Sequence, residues 1–132
     1  MFLTPGTLRF EKRWDMFFDR HEGRFSVYVH AFKETPVHLS RHFVNRDIHS
    51  EKVVWGEIDA EKRLLGFAFQ DPDNQQFVLL SDSCIPLRKF DYVYNYLMDT
   101  NTSFIDCYED HGPHGSAGMI MKQVGMYTKS RS

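Results

Sequence analysis

Cysteine is scarce in this 132-residue sequence: Cys84 and Cys107 are the two present, and no Cys-x-x-Cys or other close pairing is formed. The expected state is therefore two buried free thiols, not a disulfide framework. Long apolar runs are missing as well, since none approaches the ~20 residues that a membrane helix needs. The opening Met1-Phe2-Leu3-Thr4-Pro5-Gly6 has neither the basic start nor the long apolar stretch of a secretory signal. Charge of one sign is also lacking. With a formal net charge of -2 and a pI near 6.4, the whole chain shows no electrostatic footprint for nucleic acid. Mixed runs such as Glu11-Lys12-Arg13 and Glu61-Lys62-Arg63 read as solvated helix faces. Repeats, low-complexity tracts and Gly/Ser linkers are absent, which points to one domain. So are the Gly-x-Ser-x-Gly elbow, the Walker loop and Gly-x-Gly-x-x-Gly, and with them go hydrolase, P-loop and dinucleotide-oxidoreductase readings.

What the chain does have is apolar and aromatic content, 42% and 15%, enough for an ordinary core. Phe10, Trp14, Phe17 and Phe18 recur at helical steps and predict a helix over residues 7–19, after the Pro5-Gly6 turn. Phe25-Ser26-Val27-Tyr28-Val29-His30 alternates as a strand, and residues 31–50 read as a loop with a short element inside. Val53-Val54-Trp55-Gly56 looks extended. Ile58, Ala60, Leu64, Leu65, Ala68 and Phe69 mark a second amphipathic helix, which Asp71-Pro72-Asp73-Asn74 ends. Gln76-Phe77-Val78-Leu79-Leu80 reads as the central strand. Phe90, Val93, Tyr94 and Leu97 then give a third helix, and residues 103–108 a last strand.

Alternation of strand and helix, with a continuously apolar central strand, predicts an α/β fold: an open, mostly parallel, Rossmann-like sheet with flanking helices. Ligands of such sheets sit outside the carboxyl ends of the strands. Thr4-Pro5-Gly6, His30, Trp55-Gly56 and Ser81-Asp82-Ser83-Cys84 all fall where strands end, so they share one rim. The Ser81–Cys84 cluster also suits a cap for the following helix. Asp71-Pro72-Asp73 has the spacing of a metal-holding Asp-x-Asp but precedes a strand, where a helix-ending turn is expected. His38/His42 and His111/His114 have helical spacing without the further ligands of a zinc site. No metal site is expected.

The ordered motifs extend this reading. Met-Phe-Leu-Thr-Pro-Gly before an aromatic helix, Phe25-Ser26-Val27-Tyr28-Val29-His30, Val54-Trp55-Gly56, Asp59-Ala60-Glu61-Lys62-Arg63-Leu64-Leu65, Phe77 through Leu87 and Gly112-Pro113-His114-Gly115-Ser116 together resemble the plant branch of the core-2/I-branching β-1,6-N-acetylglucosaminyltransferase family. The resemblance implies the N-terminal donor half of a GT-A-like glycosyltransferase of the Golgi lumen. It implies inverting transfer of N-acetylglucosamine, or a related sugar, from a UDP donor to a glycan, glycoprotein or cell-wall acceptor. The family works without a metal: a glutamate serves as general base and basic side chains stabilise the leaving diphosphate. By position, Thr4, Pro5 and Gly6 would form the loop beside the nucleotide, and His30 would stand where animal members have an aspartate. Trp55 would stand where an aromatic residue packs near the uracil, Gly56 beside it would belong to the donor site, and Ser81, Asp82, Ser83 and Cys84 would line the donor-sugar floor.

Three departures from the family pattern accompany these likenesses. The chain opens directly on the first strand, without the family's membrane anchor and stem. Three residues are missing between Ile58 and Asp59, which predicts a helix that begins late or meets the sheet imperfectly. Residues 117–132 are expected to be a tail unlike the family, leaving residues 1–116 as a partial domain. The general base and diphosphate ligands would then lie outside this chain, and a non-catalytic donor-binding or interaction fragment is the alternative.

Overall fold

Met1 through Thr4 are all buried, and this short segment organises everything else. The computed structural model describes residues 1–48, 56–100, 102–103, 108–109, 119–120 and 126–128. In chain order the elements are β1 (Phe2–Thr4), α1 (Glu11–Phe18), β2 (Val29–Ala31), α2 (Gly56–Gln70), β3 (Gln76–Val78), β4 (Leu80–Ser81), α3 (Phe90–Asp99), β5 (Tyr108–Glu109), β6 (Met119–Ile120) and β7 (Met126–Thr128). β1 is the middle strand of a parallel sheet of order β2-β1-β4, with Leu3 opposite both His30 and Ser81. Two antiparallel pairs, β3 with β7 and β5 with β6, complete the strands among the described residues.

Side chains of a strand alternate between its faces, and here the alternation splits the core in two. Phe2 and Val29 join Trp14 and Phe18 of α1 and Phe90 of α3 on one face. Met1 and Leu3 join Ala60, Leu64 and Ala68 of α2 on the other. The result is an open α/β sheet of Rossmann-like kind, covered by helices on both faces. The aromatic face is held by edge-on contacts, Phe2 to Trp14 and Phe2 to Phe43, each with ring centroids 5.2 Å apart.

Several elements differ from the sequence expectation, each for a local reason. Helix α1 starts at Glu11, not at residue 7, because Thr7 is used elsewhere: its hydroxyl accepts the Val37 backbone N–H at 3.0 Å. The alternating run at residues 25–30 enters the ladder only at Val29, while Phe25 packs sideways against the aromatic core. The apolar run at 76–80 divides at Leu79 into β3 and β4, which pair with different partners. Hydrogen bonds from the Met1 amine to Val78 and from Leu80 N–H to Met1, both 2.8 Å, carry the β1 ladder past the division. Gly56 opens α2 and is not extended; residues 53–55 and 104–107 lie outside the described residues. Nor does α2 start late or sit badly. Ala60, Leu64 and Ala68, one turn apart, are 2%, 0% and 1% exposed. The Asp71-Pro72-Asp73 turn ends α2 as expected: Asp73 N–H donates to the Asp71 carboxylate at 2.9 Å.

Candidate functional site

Three parallel strands deliver Thr4, His30 and Ser81 to the same end of the sheet, and the loops that follow them are tied together there. After β1, the Thr4 hydroxyl donates to the Gly6 carbonyl at 2.8 Å and accepts the Gly6 N–H at 3.2 Å. The chain leaving β2 folds over this loop, with Phe32 N–H on the Thr4 carbonyl at 3.0 Å and Lys33 and Glu34 N–H on the Pro5 carbonyl at 3.0 and 2.9 Å. Glu34 comes so close that a Cβ on Gly6 would meet its Cβ at 3.2 Å and its Oε2 at 3.3 Å. A side chain at Gly6 would therefore push against Glu34 where the two rim loops approach.

The turn after β4 is as strongly fixed. Cys84 N–H closes it onto the Ser81 carbonyl at 3.2 Å, and the Ser81 hydroxyl sits 3.0 Å from the Ser83 hydroxyl and 3.4 Å from the Cys84 thiol. Trp14 of α1 donates its indole N–H to the Cys84 carbonyl at 3.0 Å, pinning the turn to the aromatic face. Asp82 faces the Arg9 guanidinium at 3.4 Å, and Cys84 is a free thiol packed against the aromatic core. The turn does not cap a helix, because α3 begins at Phe90 with Lys89 at its N-cap and no side-chain cap bond.

The candidate residues thus fall into three groups. Thr4, Pro5 and Gly6 and the turn Ser81, Asp82, Ser83 and Cys84 lie side by side at the carboxyl ends of adjacent strands. His30 belongs to the same edge but is 1% exposed, on the α2 face with Leu3. Burial, with the nearby positive charge of Arg63, pushes its imidazole below the ordinary value, so it is neutral near pH 7. Gly56 is the first residue of α2, and Trp55 lies outside the described residues.

Sequence reading did not single out the acidic side of α1, which anchors the segment that follows the β2 rim. Glu11 accepts the backbone N–H groups of Leu39 and Ser40 at 2.7 and 2.6 Å through one oxygen, and meets His38 Nδ1 at 3.0 Å through the other. His38 Nε2 reaches Asp47 at 2.8 Å. Burial alone would depress the His38 pKa, but the two carboxylates outweigh it and raise the pKa above its ordinary value. One turn along, Asp15 takes the Ser40 hydroxyl and His42 Nδ1, while His42 Nε2 lies 3.3 Å from Glu22. No spacing in the sequence announces these pairs, whose members stand up to 28 and 29 residues apart.

A family model described as Core-2/I-Branching enzyme matches residues 1–130, a range that runs into the tail beyond Ser116. The chain is similar to Glycosyltransferase BC10 of Oryza sativa subsp. japonica, with 43% identity over 119 residues, covering 83% of this chain and 30% of that protein. The chain therefore spans less than a third of the length of this relative. No solved structure matches it.

Proposed function

This chain belongs to the Core-2/I-branching enzyme family, and from that premise we propose that it forms the donor-binding part of a glycosyltransferase. The reaction is inverting transfer of N-acetylglucosamine, or a related sugar, from a UDP donor to a glycan or glycoprotein acceptor in the secretory pathway, at the Golgi. The observation that carries the reading is the pair of tied loops, Thr4-Pro5-Gly6 and Ser81–Cys84, at the carboxyl ends of adjacent parallel strands. A nucleotide sugar is held at such an edge by backbone N–H groups and short hydroxyls; the β4 turn presents the Ser81 and Ser83 hydroxyls, while the Thr4 hydroxyl and the Gly6 N–H fix the shape of their own loop.

Donor binding is metal-independent in this reading. Asp82, the carboxylate of the β4 turn, is engaged by Arg9, and no second carboxylate accompanies it within the turn. The Thr4-Pro5-Gly6 loop and the Ser81–Cys84 turn carry no glutamate to act as general base and no cation for the leaving diphosphate. The 30% coverage of the rice relative favours a second reading, that this chain alone binds donor without transferring sugar. No helix among the described residues is long and apolar enough to cross a membrane.

Titration calorimetry with UDP-N-acetylglucosamine, with and without manganese, tests the proposal. Similar affinity in both conditions is expected, with a loss of about tenfold or more in Gly6→Val, whose side chain runs into Glu34 and displaces the loop. Absence of UDP-sugar binding by the folded chain would overturn the reading. A large gain with manganese would overturn its metal-free part.

A further inference from the structure

Helix α1 sorts its charges. Glu11 and Asp15 turn toward residues 38–42, where backbone N–H groups, Ser40 and two histidines take up their carboxylates. Asp19, another turn along, is taken by Arg41 at 3.1 Å. The cations of the same stretch are left on a different side. Arg9, Lys12 and Arg13 line a groove of about 510 Å³ together with Phe10, Met16 and Pro86, and no carboxylate lines it. Arg9 is held by Asp82, whereas Lys12 and Arg13 form no ion pair among the described residues. The mixed-charge sequence Glu11-Lys12-Arg13 is thus not a neutral solvated face: its acid is consumed inside, and its two bases face a groove uncompensated.

The groove adjoins the rim. Arg9 lies three residues beyond the Gly6 loop, Pro86 lies two beyond Cys84, and the Arg9–Asp82 pair joins the two sides. A ligand lying in it would run from the outer flank of α1 to the strand ends. We infer that this groove holds the acceptor, and that the acceptor is a glycan chain carrying hexuronate carboxylates. This rests on the glycosyltransferase reading and names the substrate class for it. The chemistry matches on both counts. Phe10, Met16 and Pro86 offer apolar surface to the C–H faces of pyranose rings, and Arg13 and Lys12 offer charge-assisted hydrogen bonds to carboxylates, bidentate in the case of arginine. A donor diphosphate is the poorer occupant, because Lys12 and Arg13 are carried on the helix flank and not on the loops at the strand ends.

Direct binding to the full chain tests this without any transfer step. Oligogalacturonate and its fully methyl-esterified counterpart, which has the same sugars and no charge, are titrated in parallel with UDP-N-acetylglucosamine. The expected result is binding of the acid form, weakened by salt, at least about tenfold weaker binding of the ester, and a similar loss in Lys12→Glu/Arg13→Glu. UDP-sugar affinity and the far-ultraviolet dichroism of the variant should be unchanged, which shows that it is folded. Equal binding of acid and ester, or an unaffected double variant, would overturn the inference. Displacement of the oligosaccharide by an equal concentration of inorganic phosphate would reduce the groove to a general anion site and overturn it too, and displacement by UDP would assign the groove to the donor. If the oligogalacturonate binds as described while no UDP-sugar binds, the donor-site reading fails and the groove stands.

Discussion

At the scale of single residues, the charge state of His38 follows from its two neighbours. Ionised carboxylates accept hydrogen bonds and donate none, so a ring with Glu11 on one nitrogen and Asp47 on the other needs a proton on both. The folded pKa is raised above the unfolded value of 6.5. The stabilisation is therefore complete below that value and is lost as pH rises through the folded pKa. Chemical denaturation of the wild type and of His38→Gln should show the largest gap near about pH 6 and a narrower one near about pH 9. A constant gap would mean that the ring is held neutral. The four-residue spacing of His38 and His42 has the look of a ligand pair, yet the rings serve different carboxylates. The segment that carries them is not helical, and spacing places side chains on a common face only within a regular element.

Among the elements, the three helices were legible because each repeats its apolar residues at the helical period, and all three form. Their ends were less so. Phe10 fits the period of α1 yet lies outside it, because the chain just before is committed to the rim loop and to Val37. Strands were harder still, since an apolar run states that a segment is buried but not with whom it pairs. The run at 76–80 serves two partners in succession, and its division falls on Leu79, which is 1% exposed and gives no signal of a break. The rim position of Thr4-Pro5-Gly6 and Ser81–Cys84 could be read from strand ends alone. The Trp14 and Arg9 contacts that fix the turn could not, because they span 70 residues or more. Helix α2 covers its face of the sheet mainly through Leu64, which is fully buried. Leu64→Ala should cost about 2–5 kcal/mol in urea denaturation with little change in slope, and a cost below about 1 kcal/mol would show that α2 is loosely docked.

For the whole molecule, the amine of Met1 sets a second pH dependence, opposite in sign to that of His38. Burial pushes it from 8.0 down to about 5. Between those values the unfolded chain binds a proton that the folded chain does not, so stability rises with pH across the window, by up to about 4 kcal/mol for a shift of that size. His30, also pushed down by burial, adds in the same direction. In the His38→Gln background, where the opposing contribution is gone, denaturation midpoints should climb steadily from about pH 5 to about pH 8. A flat profile would place the amine in water.

The same central strand has a consequence in time. β1 precedes both of its partners in the chain, one beginning at Val29 and the other at Leu80, a closure of 77 residues for the Met1–Val78 bond. Closing so long a loop costs entropy before any packing repays it, and non-local pairing of this kind slows folding. During synthesis the buried residues of β1 must therefore wait for their second neighbour until Leu80 has emerged.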